Sequence, residues 1–287
     1  MDKYGIDGHK LMYHVQRVNE WLDGKEVYPV YMEVSLAGAC NHRCTYCGLD
    51  FMGYKRRSLD TSLFKERISE LGGLGLKSIM YGGEGEPFLH RDAAELICHT
   101  GKSGIDVGVT TNGVLLEKAI TDDILSYTAW IKVGIDGATS STHSGIHRCD
   151  AGDFDRIIRN MSYAADLKKK NGFKCTLGMQ LLLLPENRHE VIQLAELSRD
   201  IGMDYLVVKP YSQHLQSETT KYGSLRYSDY GSLENELAKF NTDNFDVIFR
   251  AKTMKKWDAK ACSYARCFAL SFWSYIDARG NVWGCSV

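Results

Sequence analysis

Cys40, Cys44 and Cys47 stand in the run Cys-Asn-His-Arg-Cys-Thr-Tyr-Cys. Three thiolates this close together can wrap one metal cluster. A four-iron cluster has four corners, and cysteine usually fills each of them. Three protein ligands would leave one iron open, much as a catalytic zinc keeps an open position for substrate. Two plainer readings compete: a zinc knuckle with His42 as a further ligand, and three buried core cysteines. The C-x3-C-x2-C spacing directly after a strand, with an aromatic residue before the last cysteine, favours the cluster.

The chain around this run must position it. Short apolar runs at Tyr31–Leu36, Ser78–Tyr81, Asp106–Thr110, Trp130–Ile135, Lys174–Leu184 and Tyr205–Lys209 read as strands. Amphipathic stretches at Thr61–Leu71, Arg91–Lys102, Glu117–Tyr127, Asp153–Asn171 and Arg188–Ile201 read as the helices between them. Near-continuous apolar strands alternating with helices predict an α/β protein with a helix-covered parallel sheet, here a partial (β/α)6 TIM-like barrel. The four prolines all fall just outside a predicted strand, where a missing amide hydrogen does no harm. Working residues of parallel barrels gather at the C-terminal ends of strands. The cysteine run ends the first strand and Gly82-Gly-Glu-Gly-Glu-Pro87 the second. Thr110-Thr-Asn-Gly113 and Gly134-Ile-Asp-Gly137 end the third and fourth. Glycines after the second strand would let the backbone approach a ligand closely; Asn112-Gly113 alone is a turn signal.

The set of motifs resembles the radical S-adenosylmethionine superfamily over Tyr31 to about Pro210. That resemblance implies a [4Fe-4S] cluster on Cys40, Cys44 and Cys47, with S-adenosylmethionine chelating the open iron. Reductive cleavage would give methionine and a 5′-deoxyadenosyl radical that abstracts a substrate hydrogen, the cofactor carrying the hard chemistry. By the same resemblance Gly83, Glu84, Gly85 and Glu86 are similar to the element that binds the methionine amino group, with either glutamate in the matching role. Thr110 and Asn112 would lie near the cofactor. Gly134 replaces a serine found in relatives, leaving Asp136 or a water to compensate. Arg148 matches an arginine that often follows, and Cys149 stands where relatives have glycine. Gln180 would meet the ribose or the methionine carboxylate, or is a satisfied polar residue at a strand end. Val208 would pack the adenine by its backbone, and Tyr46 would flank it, or be an ordinary packed tyrosine. The resemblance also implies a flavodoxin- or ferredoxin-like reductant.

A second cysteine element follows: Cys262, Cys267 and Cys285, with Asp277–Asn281 as a hairpin turn between Phe272–Ile276 and Val282–Trp283. It is similar to the opening of the SPASM and Twitch auxiliary-cluster domains, which would make these cysteines three ligands of an auxiliary [4Fe-4S] cluster. The sequence stops two residues after Cys285, whereas relatives supply a further ligand beyond. A fragment is the economical explanation; an open iron or no auxiliary cluster are the others. Cys98, Cys149 and Cys175 read as buried thiols. The expected organisation is residues 1–30 as a helical segment with His9–Leu22 packed on the barrel, 31–225 as the barrel, and 226–287 as linker plus the start of the small Cys-rich domain, Tyr211–Tyr230 being a polar bridge.

Composition narrows the function. The formal net charge is −1 and no basic stripe interleaves with aromatics, so nucleic acid is not an expected partner. Nor is a membrane, since no apolar run reaches spanning length. Nine cysteines without an export signal point to metal or reduced thiols in the cytoplasm. The expected function is hydrogen abstraction from a small-molecule substrate (a sugar or metabolite) or a peptide. Peptide maturation by crosslinking, epimerisation or residue oxidation is one alternative. A non-catalytic iron–sulfur electron relay is the other, and would need no glycine–glutamate turn.

Overall fold

Alternation of side chains across a pleated strand decides this architecture. The computed structural model describes residues 3, 4, 6, 10–260 and 264–285. Its strands are β1 (Tyr31–Val34), β2 (Ser78–Tyr81), β3 (Asp106–Thr111), β4 (Trp130–Gly134), β5 (Thr176–Leu182), β6 (Tyr205–Lys209), β7 (Asp246–Phe249), β8 (Trp273–Ile276) and β9 (Val282–Trp283). The helices are α1 (Val15–Leu22), α2 (Thr61–Gly73), α3 (Ala93–Lys102), α4 (Lys118–Ile124), α5 (Ser140–His147), α6 (Gly152–Asn171), α7 (Val191–Asp200), α8 (Gly231–Leu237) and α9 (Ala251–Ala259). One sheet runs in the order β7-β6-β5-β4-β3-β2-β1-β8-β9. Every pair from β7 to β8 is parallel, and only β8–β9 is antiparallel.

The α/β partial-barrel expectation holds, with two corrections. The sheet does not stop at six parallel strands. Asp246–Phe249 adds β7 beside β6. The predicted hairpin does form, pairing Ile276 with Val282, but its first strand also pairs in parallel with β1, Tyr31 opposite Trp273. Residues assigned from sequence to a separate Cys-rich segment therefore contribute a strand to the barrel's own sheet.

The strands are not uniformly apolar either. One face carries Val107, Val109, Ile131, Val133, Leu177, Met179, Leu181, Leu206 and Val208, all fully buried in the main core beneath the helices. The other face carries Glu33, Thr110, Lys132, Gln180 and Lys209 among Tyr31, Trp130 and Tyr205, and lines an interior cavity of about 640 Å³. Gly108 and Gly178 sit on this inner face because aromatic rings lie across them. A Cβ on Gly178 would stand 2.1 Å from the Tyr205 ring, and one on Gly108 would stand 2.2 Å from Trp130.

Helix α5 is unforeseen in the sequence, since Ser-Ser-Thr-His-Ser-Gly has weak helix propensity. Tertiary contacts hold it. The buried Glu190 carboxylate accepts from the Ala138 and Thr139 amides at 2.7 and 3.1 Å and from the Thr139 hydroxyl at 3.0 Å, while Thr139 caps the Thr142 amide at 3.3 Å. At the C-terminal end of α6 the Lys168 ammonium donates to Asp204 at 2.6 Å. No helix among the described residues is long and apolar enough to cross a membrane.

Gly178→Ala tests the aromatic cover of the lumen. The buried Tyr205 ring must shift, so we expect a loss of about 1–3 kcal/mol, typical of overpacking, read as a lower denaturation midpoint at unchanged slope.

Candidate functional site

The chain leaves β1 into the cysteine loop, and α5 shapes that loop. The Arg43 and Thr45 amides donate to the His147 and Ile146 carbonyls, each at 2.9 Å, and the Arg43 guanidinium lies 4.1 Å from the Tyr54 ring centroid. Cys40, Cys44 and Cys47 are all half-buried and unbridged. Burial pushes the Cys40 thiol up to about 12, and the neighbouring Cys44 and Cys47 add to the rise. Burial likewise raises Cys47, opposed by a hydrogen bond from Tyr54. Three unbridged, half-buried thiols within one short loop are a donor set that a cationic cluster would satisfy, so the residues fit a cluster with three cysteine ligands.

Gly82–Pro87 follows β2. Gly83 has φ +110, and a Cβ there would meet the Ser35 hydroxyl at 2.1 Å; at Gly85 it would meet the Ala37 carbonyl at 2.2 Å and that of Ala39 at 2.4 Å. The glycines thus let the turn lie against the chain entering the cysteine loop, and the Glu86 amide donates to the Ala39 carbonyl at 2.9 Å. The two glutamates, indistinguishable in sequence, have different partners. The buried Glu84 carboxylate pairs with Arg57 and accepts from the Ala278 amide, which follows β8, at 2.7 Å. Glu86 accepts from the Thr111 hydroxyl at 2.6 Å and the Asn112 amide at 2.8 Å, joining the second motif to the third. Complete burial pushes its carboxyl up to about 7 against those hydrogen bonds.

Thr110 faces the lumen and donates to the Met80 sulfur at 3.4 Å, so Thr111, not Thr110, meets Glu86. The Asn112 side-chain amide donates to Asn41 in the cysteine loop at 2.7 Å. A Cβ on Gly134 would find open space. Asp136 is buried and accepts from the Leu182 amide at 2.6 Å. Tyr46 hydrogen-bonds to Asp136 and to Cys44, its phenol pushed well up by burial. Gln180 lines the lumen. The Val208 side chain turns outward into the core, and Val207 is the lumen-facing neighbour. Cys262 lies outside the described residues. Cys267 is exposed and Cys285 half-buried.

Two features escaped the sequence reading. One is a histidine stack beside the cysteines. His147 Nδ1 lies 3.4 Å from Cys44 Sγ and 3.2 Å from His42 Nδ1. Its Nε2 stands 2.9 Å from Asp136, off the line of a hydrogen bond. Burial opposes its protonation, but Cys44 and Asp136 prevail and raise its pKa. His143 stacks on it at 4.0 Å between centroids. Burial and the neighbouring imidazoles push His42 down to about 3 and His143 to about 2. The i,i+4 spacing of His143 and His147 was a usable signal once α5 is a helix. The other is Tyr211–Tyr230, which is a strap over the cysteine loop: Thr219 donates to the Thr45 carbonyl at 3.0 Å, Ser217 to that of Cys47 at 3.1 Å, and Tyr222 bonds Thr45 at 3.0 Å.

The family described as the Radical SAM superfamily matches residues 34–198, more than half of the chain. GTP 3′,8-cyclase of Chlorobaculum tepidum is 29% identical over 193 residues, 64% of this chain and 55% of that protein. The tungsten-containing aldehyde ferredoxin oxidoreductase cofactor-modifying protein of Pyrococcus furiosus is 24% identical over 244 residues, covering 79% and 65%. The chain spans about half to two thirds of these curated relatives. Streptococcus suis SuiB bound to S-adenosylmethionine superimposes with a TM-score of 0.71 at 16% identity, over 96% of this chain and 64% of that one. For anSMEcpe with bound AdoMet the TM-score is 0.66 at 18% identity, over 90% and 74%. These two share the fold.

The Arg57–Glu84 pair yields a sharp expectation. Arg57→Ala strands a buried carboxylate, at a cost of about 3–5 kcal/mol. Adding Glu84→Gln should recover part of that loss in chemical denaturation; no recovery would assign the cost to lost packing instead.

Proposed function

We propose, from the premise that this chain belongs to the radical SAM superfamily, that it is an enzyme initiating radical chemistry on a small-molecule substrate in the barrel lumen. The superfamily uses a [4Fe-4S] cluster and S-adenosylmethionine. Together, when bound, they supply one-electron cleavage of the sulfonium and, through it, hydrogen abstraction from an unactivated C–H bond. The observation that carries the reading is the assembly of three unbridged, half-buried thiols beside the Gly83–Glu86 turn and the Thr111–Asn112 element, all at the C-terminal ends of β1, β2 and β3.

In this reading Cys40, Cys44 and Cys47 hold the cluster. Glu86 fixes the turn against Asn112, and the backbone of Gly83–Glu86 would hold the ligand of the open iron. Glu84 holds the turn from behind through Arg57. Tyr46 from the cysteine loop and Asp136 after β4 would border the cofactor, with Gln180 on β5 and the β6 backbone at Val207–Val208 on its other side. The strap of Ser217, Thr219 and Tyr222 keeps water from the cysteine loop.

The lumen favours a small molecule: its walls converge from β1 to β6 on a cavity of about 640 Å³, within the usual range for small-ligand sites. Peptide maturation is the second reading. SuiB and anSMEcpe have been solved with peptides, and the lumen would then take one residue of a longer chain. Cys262, Cys267 and Cys285 are proposed as part of an auxiliary cluster site, and the reductant as flavodoxin- or ferredoxin-like.

Anaerobic reconstitution tests the cysteine assignment: Ala at Cys40, Cys44 and Cys47 together should remove about one cluster's iron and sulfide per chain. The wild type supplied with a strong reductant and S-adenosylmethionine should release 5′-deoxyadenosine slowly without substrate. A verified, reducible cluster that yields none would replace the enzyme with an electron relay. Cys267→Ala should lower iron only by what exceeds the first cluster, and unchanged iron would make the late cysteines structural thiols.

A further inference from the structure

Burying an imidazole with both nitrogens unmet is unfavourable, because each has given up water and gained nothing in return. His143 on α5 is in that position. It is fully buried, and neither Nδ1 nor Nε2 has a hydrogen-bond partner among the described residues. A phenylalanine would offer a similar ring to His147 and Phe154 without that cost. What histidine adds is a ring nitrogen, and other metal-binding side chains stand around it. One nitrogen of His143, one of His42 and Cys149 Sγ lie within 4.8 Å of one another. A fourth donor completes the set. Asp153 Oδ2 is 3.2 Å from His42 Nε2, and the Asp153 carboxylate is hydrogen-bonded to the Cys149 thiol.

Two imidazoles, a thiolate and a carboxylate are ligands that zinc takes. Bonds of about 2.0–2.3 Å put the ligands of a tetrahedral ion about 3.3–3.8 Å apart, so small side-chain adjustments close this set on one ion. The supporting contacts are in place as well. The second nitrogen of His42, Nδ1, lies 3.2 Å from His147 Nδ1, and Arg156 donates to Asp153 Oδ1 at 2.9 Å. Each contact orients a ligand while leaving His42 Nε2 and Asp153 Oδ2 to face the site. His42, Cys44 and His147 also lie close together, but Cys44 belongs to the cluster triad.

We propose that His42, His143, Cys149 and Asp153 form a structural zinc site separate from the cluster cysteines. Four protein ligands leave no open position, which marks a structural ion and not a catalytic one. Binding displaces the Cys149 proton to solvent as the metal–sulfur bond forms. His42 comes from the cysteine loop, His143 from α5, Cys149 from the α5–α6 connection and Asp153 from the first turn of α6. The ion therefore ties the loop that carries Cys40 and Cys44 to the two helices beside it. The site does not depend on the proposed reaction.

Metal analysis of the anaerobically reconstituted full chain, dialysed with zinc sulfate and then against metal-free buffer, tests this. The wild type should retain about one zinc per chain beside its iron, and His143→Phe and Cys149→Ser should each lose that zinc while keeping iron and sulfide. Zinc undiminished in both variants overturns the site, as does a wild type that retains none. Iron lost together with zinc, from variants that still fold, would assign these side chains to the cluster and overturn a separate site. Should the variants fail to fold, X-ray absorption at the zinc edge of the wild type decides. One sulfur at about 2.3 Å with nitrogen and oxygen at about 2.0–2.2 Å is expected, and any other sulfur count refutes the proposal. A wild type that takes up zinc but no iron leaves this site standing and sinks the cluster reading, so the two fail separately.

Discussion

The contact on which the site depends is the approach of Gly85 to the carbonyls of Ala37 and Ala39, closer than any side chain permits. It brings the end of β2 against the chain that leads into Cys40. The Glu86 amide locks that approach, and its carboxylate passes the constraint on to β3 through Thr111 and Asn112. Three loops that could each move alone are thereby one rigid rim. Such preorganisation matters where a reactive centre must be held to within a fraction of an ångström.

Much of this rim was legible in the sequence because each motif is local and punctuated by glycine. Cys40–Cys47, Gly82–Pro87 and Thr110–Gly113 announce both their chemistry and their place after a strand. The division of labour between Glu84 and Glu86 was not legible, because it depends on Arg57 and Ala278, which come from distant parts of the chain. Helix α5 was hidden because its own residues have weak helix propensity and Glu190, far along the chain, adds to the Thr139 cap the hydrogen bonds that hold its start. The strap failed for the opposite reason: its polar composition is that of a linker, and its hydrogen bonds to Thr45 and Cys47 are visible only in three dimensions. For β5, counting the run as continuously apolar concealed the inward alternation of Thr176, Gly178 and Gln180.

Charge is partitioned sharply across a short distance. The rim holds thiols, buried carboxylates and a histidine whose protonation those anions favour, while the lumen below holds lysines and an arginine. Two further histidines, neutral because they are buried, pad the rim without adding charge. An interior with two electrostatic characters can orient a molecule end to end, not merely enclose it.

The pairing of β8 with β1 has a consequence in time. Until residue 276 has emerged from the ribosome, β1 presents an unsatisfied edge to solvent, with the cysteine loop hanging from its end. Long-range parallel pairings of this kind form late. Synthesis therefore passes through an interval in which the barrel's other strands have been made but its cysteine-bearing edge still stands open.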